Sequence, residues 1–418
     1  MRGHHPYPSY ALSGVEWIGD LPSHWQVLRL RYACDLNPTK AEIKGIPSDT
    51  LVTFLPMEKI GEDGSIALDE LREVGDVSQG YTYFRDDDVI VAKITPCFEN
   101  GKGALVRHLH QSIGFGTTEL HVLRAKPGIE PRFIFYLTRC DEFRSHGTAM
   151  MYGAAGQQRV PEAFLRYLWI PVPPADEQHA IADFLDRETA RIDALIARKQ
   201  RLIELLQEKR TALISHAVTK GLDAGVAMKE SGVAWLGQVP AHWEIRPLRA
   251  VVQLRRGFDL TVAQREAGTV PVYSSSGLSG YHDTALVKGP GVVTGRYGTV
   301  GQIFYVEDDF WPMNTALYGK EFWGNDAQYV SYLLTILPFD AYSGKSAVPG
   351  IDRNDLDPIK VVCPPRDEQL AITSHLVHAG RKLEEAAQMI ETVIAKLQEY
   401  RTALISAAVT GKIDVRQQ

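Results

Sequence analysis

Cysteine is scarce in this 418-residue chain: Cys34, Cys97, Cys140 and Cys363 are scattered, with no Cys-x-x-Cys pair. That spacing provides neither a zinc framework nor a disulfide scaffold, and it suits a reducing cytoplasm. Long apolar runs are missing as well. No stretch approaches the roughly 20 residues of a membrane-spanning helix, and the opening MRGHHPYPSY lacks the apolar core of a signal peptide, so a cytoplasmic protein is expected. The thirteen histidines form no His-x-x-x-His or His-Glu-x-x-His cluster, and acidic runs such as Asp86, Asp87 and Asp88 read as solvated turns, so no metal site is expected. Also absent are an Asn-Pro-Pro-Tyr or Asp-Pro-Pro-Tyr loop, a glycine-rich strand-to-helix turn for a nucleotide-like cofactor, a G-x-x-x-x-G-K-S/T phosphate loop, and a Pro-Asp…Glu-x-Lys cluster. No catalytic residue is expected, and no cofactor in this chain. Positive charge is not in excess either: 45 Lys and Arg against 51 Asp and Glu give −6. A polyanion partner would therefore have to be met by local patches rather than by the net field.

What is present is a globular composition, 44% apolar and 9% aromatic, in a chain long enough for two domains with additional structure. An internal repeat organises it. SGVEWIGDLPSHWQVLRLR begins at Ser13 and SGVAWLGQVPAHWEIRPLR at Ser231, 218 positions apart. A second pair closes each half: PPADEQ (Pro173 to Gln178) matches PPRDEQ (Pro364 to Gln369), and RTALIS recurs at Arg210 and Arg401, both 191 positions apart. The segment between the matched ends is thus 27 residues shorter in the second half. Alike ends around divergent middles suit a modular reader, in which a frame docks partners and inserts choose targets.

Each PP-x-DEQ opens a long segment without proline, with acids in the first turn where a helix dipole favours them. In the second such segment Ile372, Leu376, Ala379, Leu383, Ala386, Ile390, Val393, Leu397, Tyr400 and Leu404 alternate spacings of three and four, a heptad seam. The first carries Ile181, Leu185, Ile192, Leu195, Leu202, Leu206 and Leu213, interrupted by Glu188, Lys199 and Lys209. Helices of about 40 residues span about 60 Å. Antiparallel packing of the two would give a coiled-coil rod separating two domains related by a pseudo-twofold, with readers about 34 Å apart on one groove. Expected boundaries are 1–165 and 226–362 for the two domains, and 166–225 and 363–418 for the helical segments.

Both middles read as mixed α/β domains. The first has apparent strands in DDVIVAKI, GKGALVRHL and TELHVL and the amphipathic PRFIFYLTRCDEFR; the second has GVVTGRYGTVG and QIFYV as strands and AQYVSYLLTIL as a helix. Polar and aromatic residues expected on loops are the candidate DNA contacts: Tyr81, Tyr83, Arg85, Lys93, Thr95, Asn100, Lys102, Gln157 and Arg159 in the first domain. In the second they are Ser274, Ser275, Ser276, Tyr281, His282, Arg296, Tyr297, Thr299 and Lys345. Arg and Lys reach guanine acceptors, Asn and Gln reach adenine, and hydroxyls serve both bases and phosphates.

The repeated SGV-x-W-(I/L)-G-x-(L/V)-P-x-HW segments and the PP-x-DEQ helix starts resemble those of the specificity subunits of Type I restriction-modification systems, over essentially the whole chain. YPSYALSGVEW is similar to the usual lead-in, and TELHVL (Thr118 to Leu123) and WPMNTALYG (Trp311 to Gly319) fit places where such domains close their cores. The resemblance implies two target recognition domains, each reading one half of a bipartite asymmetric site in double-stranded DNA, and helices that set the spacer and dock partners. Two modification subunits carrying S-adenosylmethionine, and two restriction subunits using ATP and magnesium, would complete the complex. A coiled-coil scaffold whose domains bind proteins instead of DNA is the alternative; it predicts no salt-dependent DNA affinity. A self-contained methyltransferase-nuclease would need the motifs that are absent.

Overall fold

The computed structural model describes residues 5–416 apart from 155, 298 and 340–349. It forms two compact units, Met1–Lys199 with Thr392–Gln418, and Gln200–Glu391. The long helices Ala175–Lys220 and Arg366–Val409 each contribute one end to each unit.

The repeated sequence frames become repeated connections. In the first unit strand Gln26–Arg29, which follows the first His-Trp pair, lies antiparallel to Trp169–Val172, which leads into Pro173-Pro174. In the second unit Glu244–Pro247 lies antiparallel to Lys360–Cys363 in the same way. The PP-x-DEQ residues then close each frame. Glu177 pairs with His24 at 2.8 Å, while Glu368 pairs with His242 at 2.6 Å and accepts a hydrogen bond from the indole of the buried Trp243 at 2.8 Å. Gln178, buried, accepts from the Glu130 amide and donates to the Pro173 carbonyl, both at 2.9 Å. Gln369, buried likewise, accepts from the Asp326 amide at 2.9 Å and donates to the Pro364 carbonyl at 2.9 Å and to Asn325 Oδ1 at 2.8 Å. Glu130 and Asp326 are the N-caps of helices Pro131–Arg139 and Ala327–Thr335, so one glutamine in each unit joins a long helix to a helix of the α/β module.

The α/β modules have the mixed character expected. In the first unit one sheet runs in the order Cys34–Leu36, Leu120–Ala125, Asp88–Ala92, Gly103–Leu105, all antiparallel. A second runs Leu71–Glu73, Leu51–Leu55, Ile113–Gly116, Thr82–Arg85, with one parallel pair. In the second unit Gln253–Arg256, Ala316–Glu321, Gly291–Gly295 and Ile303–Val306 form one sheet, and Gly277–His282, Val270–Ser274 and Trp311–Pro312 another. Two stretches expected as loops are strands: YTYFR supplies Thr82–Arg85, and VYSSSGLSGYHD is a hairpin turning at Ser275-Ser276. Thr82–Arg85 pairs with the distant Ile113–Gly116, so no local pattern announces it, whereas the hairpin strands pair with each other and only its outer neighbour, Trp311–Pro312, lies far along the chain.

The long helices run antiparallel within each unit. In the first, Arg401 pairs with Asp193 at 2.9 Å, whereas Arg416, past the end of the second helix, approaches the earlier Glu177 at 3.8 Å. In the second, Arg210, Leu213 and Ile214 line a crevice with Leu376, Ala379 and Leu383, while Lys220 lies near Glu368 and Ile372. Of the expected seam, Ile181, Leu185, Ile192, Leu397 and Leu404 are buried or half-buried in the first unit, and Leu206, Leu213, Ile372, Leu376, Leu383 and Ile390 in the second. Leu195 and Leu202 are not in it. Each is 40% exposed and Val393 is 41% exposed; the neighbouring Ile196, Ile203 and Ile394 are half-buried in their place. At Leu195-Ile196, Leu202-Ile203 and Val393-Ile394 two adjacent apolar residues satisfy alternate phases of the same three-four spacing, and only packing chooses between them. Tyr400 is likewise exposed, and Arg401 turns in to Asp193.

Two stability measurements check this account. Gln369→Leu leaves the Asp326 amide and the Pro364 carbonyl unpaired in a dry site, and urea unfolding is expected to show a loss of about 2–4 kcal/mol. Ile192→Ala is expected to cost about 2–4 kcal/mol while Leu195→Lys costs under about 0.5 kcal/mol; equal losses would return Leu195 to the seam.

Candidate nucleic-acid interface

In the first unit a cleft of about 230 Å³ opens between the two sheets, lined by Asn37, Lys40, Tyr81, Tyr83, Lys93 and Leu120 among others. A connected polar network extends inward from Asn37 on its wall. Asn37, at a positive φ of 47° that asparagine tolerates, accepts from the Val122 amide at 2.9 Å and donates to Glu162 at 2.9 Å. The buried His121 contacts the Val160 carbonyl through Nε2 at 2.9 Å and Asn37 Nδ2 through Nδ1 at 3.4 Å. A carbonyl on one side and an amide donor on the other assign the neutral Nε2–H tautomer. Burial lowers the imidazole pKa below its ordinary value, the Val160 bond opposing in part. Lys40 reaches the Ser78 carbonyl at 2.8 Å, and burial lowers its pKa.

Beside the cleft lies a charge cluster centred on the buried Arg124 and Asp88. Arg124 grips Asp88 with two hydrogen bonds of 2.7 and 2.8 Å and reaches Glu42 at 2.5 Å. Glu42 also receives Arg85 at 3.1 Å and the Tyr83 hydroxyl at 3.2 Å. These groups are consumed internally.

In the second unit the hairpin turn and the segment after strand Gly291–Gly295 meet. The Thr299 hydroxyl donates to the Ser275 carbonyl, the Ser275 amide donates to the Thr315 hydroxyl at 3.3 Å, and the Arg296 amide donates to the Thr315 carbonyl at 3.0 Å. Gly295 permits this approach, because a methyl group there would overlap the carbonyl oxygens of Thr299 and Ser275. Exposed Tyr281, Tyr297 and Leu278 lie on the same segments.

The structure therefore brings Tyr81 and Lys93 together at one cleft, and Ser274, Ser275, Ser276, Arg296, Tyr297 and Thr299 into one loop cluster. Others are occupied or differently placed. Tyr83 also lines the cleft but is only 4% exposed and packs in a core, because its strand is covered on both faces, Phe84 filling the core on the opposite side. His282 is buried against Trp311. Arg159 is paired with Glu119 at 2.8 Å, Asn100 donates to Glu62 at 2.8 Å, and Lys102 donates to the Met57 carbonyl at 3.1 Å. Thr95 points its hydroxyl at Met151 Sδ, 3.8 Å away, and Gln157 is exposed. Lys345 lies outside the described residues. Sequence reading missed Asn37, Lys40, His121 and Glu162, which stand far apart in the chain; TELHVL contained His121 but marked it only as core.

Comparison with known proteins now bears on what this site is. The family model described as Type I restriction modification DNA specificity domain matches residues 70–205 and 240–392, more than half of the chain. The chain belongs to this family. Among the specificity subunits it resembles are those of the Type I restriction enzymes EcoEI and EcoAI of Escherichia coli, 38% and 39% identical over 176 and 177 residues, or 42% of this chain. That match spans 29% of each of those two proteins. A putative Type I specificity subunit, MjaX, of Methanocaldococcus jannaschii is 23% identical over 96% of both chains. By fold, a solved chain concerned with complex assembly and conformational transition of the type I R-M system superposes with a TM-score of 0.76, 17% identity and 94% of this chain covered. The HsdS subunit of Thermoanaerobacter tengcongensis superposes at 0.54. Among the described residues of this specificity-family chain no three His, Cys, Asp or Glu side chains converge as a metal site, and no helix is long and apolar enough to cross a membrane.

A lowered imidazole pKa means that the unfolded chain binds the His121 proton more readily than the folded one. The stability His121 confers is complete above its ordinary value near 6.5 and is lost as pH falls through the lower folded value. His121→Gln is therefore expected to flatten the acid-side decline of the melting temperature below pH 6.5; a decline of unchanged slope would remove His121 as its source.

Proposed function

We propose that this chain is the non-catalytic DNA-sequence-recognition subunit of a Type I restriction-modification complex. Residues 1–165 and 226–362 would each read one half of a bipartite asymmetric site, and the long helices within 166–225 and 363–418 would set the gap between the halves. The observation that carries the reading is the pairing of a repeated frame with divergent polar clusters: the same Glu and Gln contacts recur in both units, while the segments they hold up share almost no sequence. A protein that must recognise two different half-sites needs that division, since docking is common to both halves and base readout is not.

The helices also offer a surface for modification subunits. Leu195, Val393 and Tyr400 in the first unit, and Leu202, Leu205 and Met389 in the second, are exposed apolar side chains on otherwise charged helices, a composition typical of interface centres. Two modification subunits bearing S-adenosylmethionine and two ATP- and magnesium-dependent restriction subunits would supply the chemistry, in the cytoplasm. The net charge of −6 confines DNA affinity to the loop clusters.

Co-expression with the modification subunits, capture of random duplexes and sequencing of the bound fraction tests the reading. The expected result is an enriched motif of two short halves separated by a fixed gap, with affinity falling steeply with salt. A complex that retains its modification subunits but enriches no sequence at low salt would make the chain a protein scaffold instead.

A further inference from the structure

Two basic residues occupy the same position in the two units, although no sequence pattern aligns them. Lys93 directly follows strand Asp88–Ala92, and Arg296 directly follows strand Gly291–Gly295. The Lys93 amide donates to the carbonyl of Glu119 at 2.9 Å, and the Arg296 amide to that of Thr315 at 3.0 Å. Each acceptor directly precedes the neighbouring strand, Leu120–Ala125 or Ala316–Glu321. From the other side, Val160 donates to the Lys93 carbonyl at 2.8 Å and Ile351 to the Arg296 carbonyl at 2.9 Å. The next residue in each case forms a bridge, Ile94 with Arg159 and Tyr297 with Gly350. Val160 and Ile351, like Arg159 and Gly350, stand 191 positions apart, the offset of the closing half of the repeat. The main chain is thus held at three corresponding points, while the loops leaving it differ in length and composition.

The side chains share a second property. Most arginines around these modules are committed: Arg85, Arg124 and Arg159 to carboxylates at 2.5–3.1 Å, and Arg265 to Ser279 at 2.8 and 2.9 Å. Lys93 makes no side-chain hydrogen bond or ion pair among the described residues, and lies at the cleft with Tyr81. Arg296 approaches Asp352 only at 3.9 Å and otherwise lies 4.7 Å from the ring of Tyr297. Among the described residues each unit therefore holds a half-buried cation with no hydrogen-bonded carboxylate, on a backbone fixed from both sides.

We propose that Lys93 and Arg296 are equivalent phosphate contacts, a DNA contact common to both half-sites. This rests on the DNA-recognition reading above and deepens it. A cation kept at one node while the surrounding loops diverge must meet something that does not change with sequence, and in a duplex that is the phosphodiester backbone. Fixing the backbone of the residue sets the register of the module on the strand, leaving the variable loops to read bases.

The test uses the complex with its modification subunits and its own enriched duplex, comparing wild type, Lys93→Gln, Arg296→Gln, the double variant and the charge-preserving Lys93→Arg and Arg296→Lys. Each glutamine variant is expected to weaken specific and non-specific duplexes by the same factor, about tenfold. Each is also expected to reduce the slope of log K against log salt by about 0.9, the double variant by about twice that. The charge-preserving variants should keep the wild-type slope, which separates loss of a contact from misfolding, and the enriched motif should be unchanged throughout. A changed base preference in one half-site with an unaltered slope would make the residue a base reader and overturn the proposal, as would unaltered affinity and slope. Wild-type complex that binds duplex without salt dependence would instead defeat the DNA-recognition reading itself.

Discussion

An amide side chain sealed from water cannot leave its polar atoms unpaired without a cost of about 1–3 kcal/mol for each, and in both units that requirement falls on the glutamine of PP-x-DEQ. Gln178 and Gln369 bond backward to the proline that starts their own helix and outward to the cap residue of a helix in the α/β module. The preceding glutamate holds the histidine of the His-Trp pair, and the strand after that pair lies against the strand leading into the prolines. Three sequence fragments widely separated in the chain are thereby locked into one frame, and everything variable is built on it.

The net charge of −6 conceals how the cations are distributed. Availability for binding depends on which cations remain unpaired, and many arginines are paired with carboxylates of the fold itself. The Arg124 cluster with Asp88 and Glu42 neutralises a carboxylate that is otherwise fully buried, which makes it a device of the fold. Arg401 with Asp193 and Arg416 with Asp414 likewise serve packing. Counting charges overlooks this division; hydrogen-bond partners reveal it, and they leave Lys93 and Arg296 as the cations whose surroundings correspond between units.

The long helices show where periodicity is informative and where it is silent. Spacing alone locates the stripe over most of its length because residues such as Ile372 and Leu376 have polar neighbours on the competing phases. At Leu195-Ile196 and Leu202-Ile203 the neighbours are apolar too, and the seam passes through the isoleucines. The leucines left outside are 40% exposed.

The duplication, the two α/β modules, the long helices and the family are legible in one dimension, because repeats and heptads are local or regularly spaced signals. It could mark Lys93 and Arg296 only as two basic residues among many. Their equivalence, the burial of Tyr83 and His282, the pairing of Arg159 with Glu119, and the polar network of Asn37, His121 and Glu162 were decided by tertiary structure. Each depends on hydrogen bonds or contacts between segments tens of residues apart, and no property of a residue's own neighbourhood specifies which distant group will satisfy it.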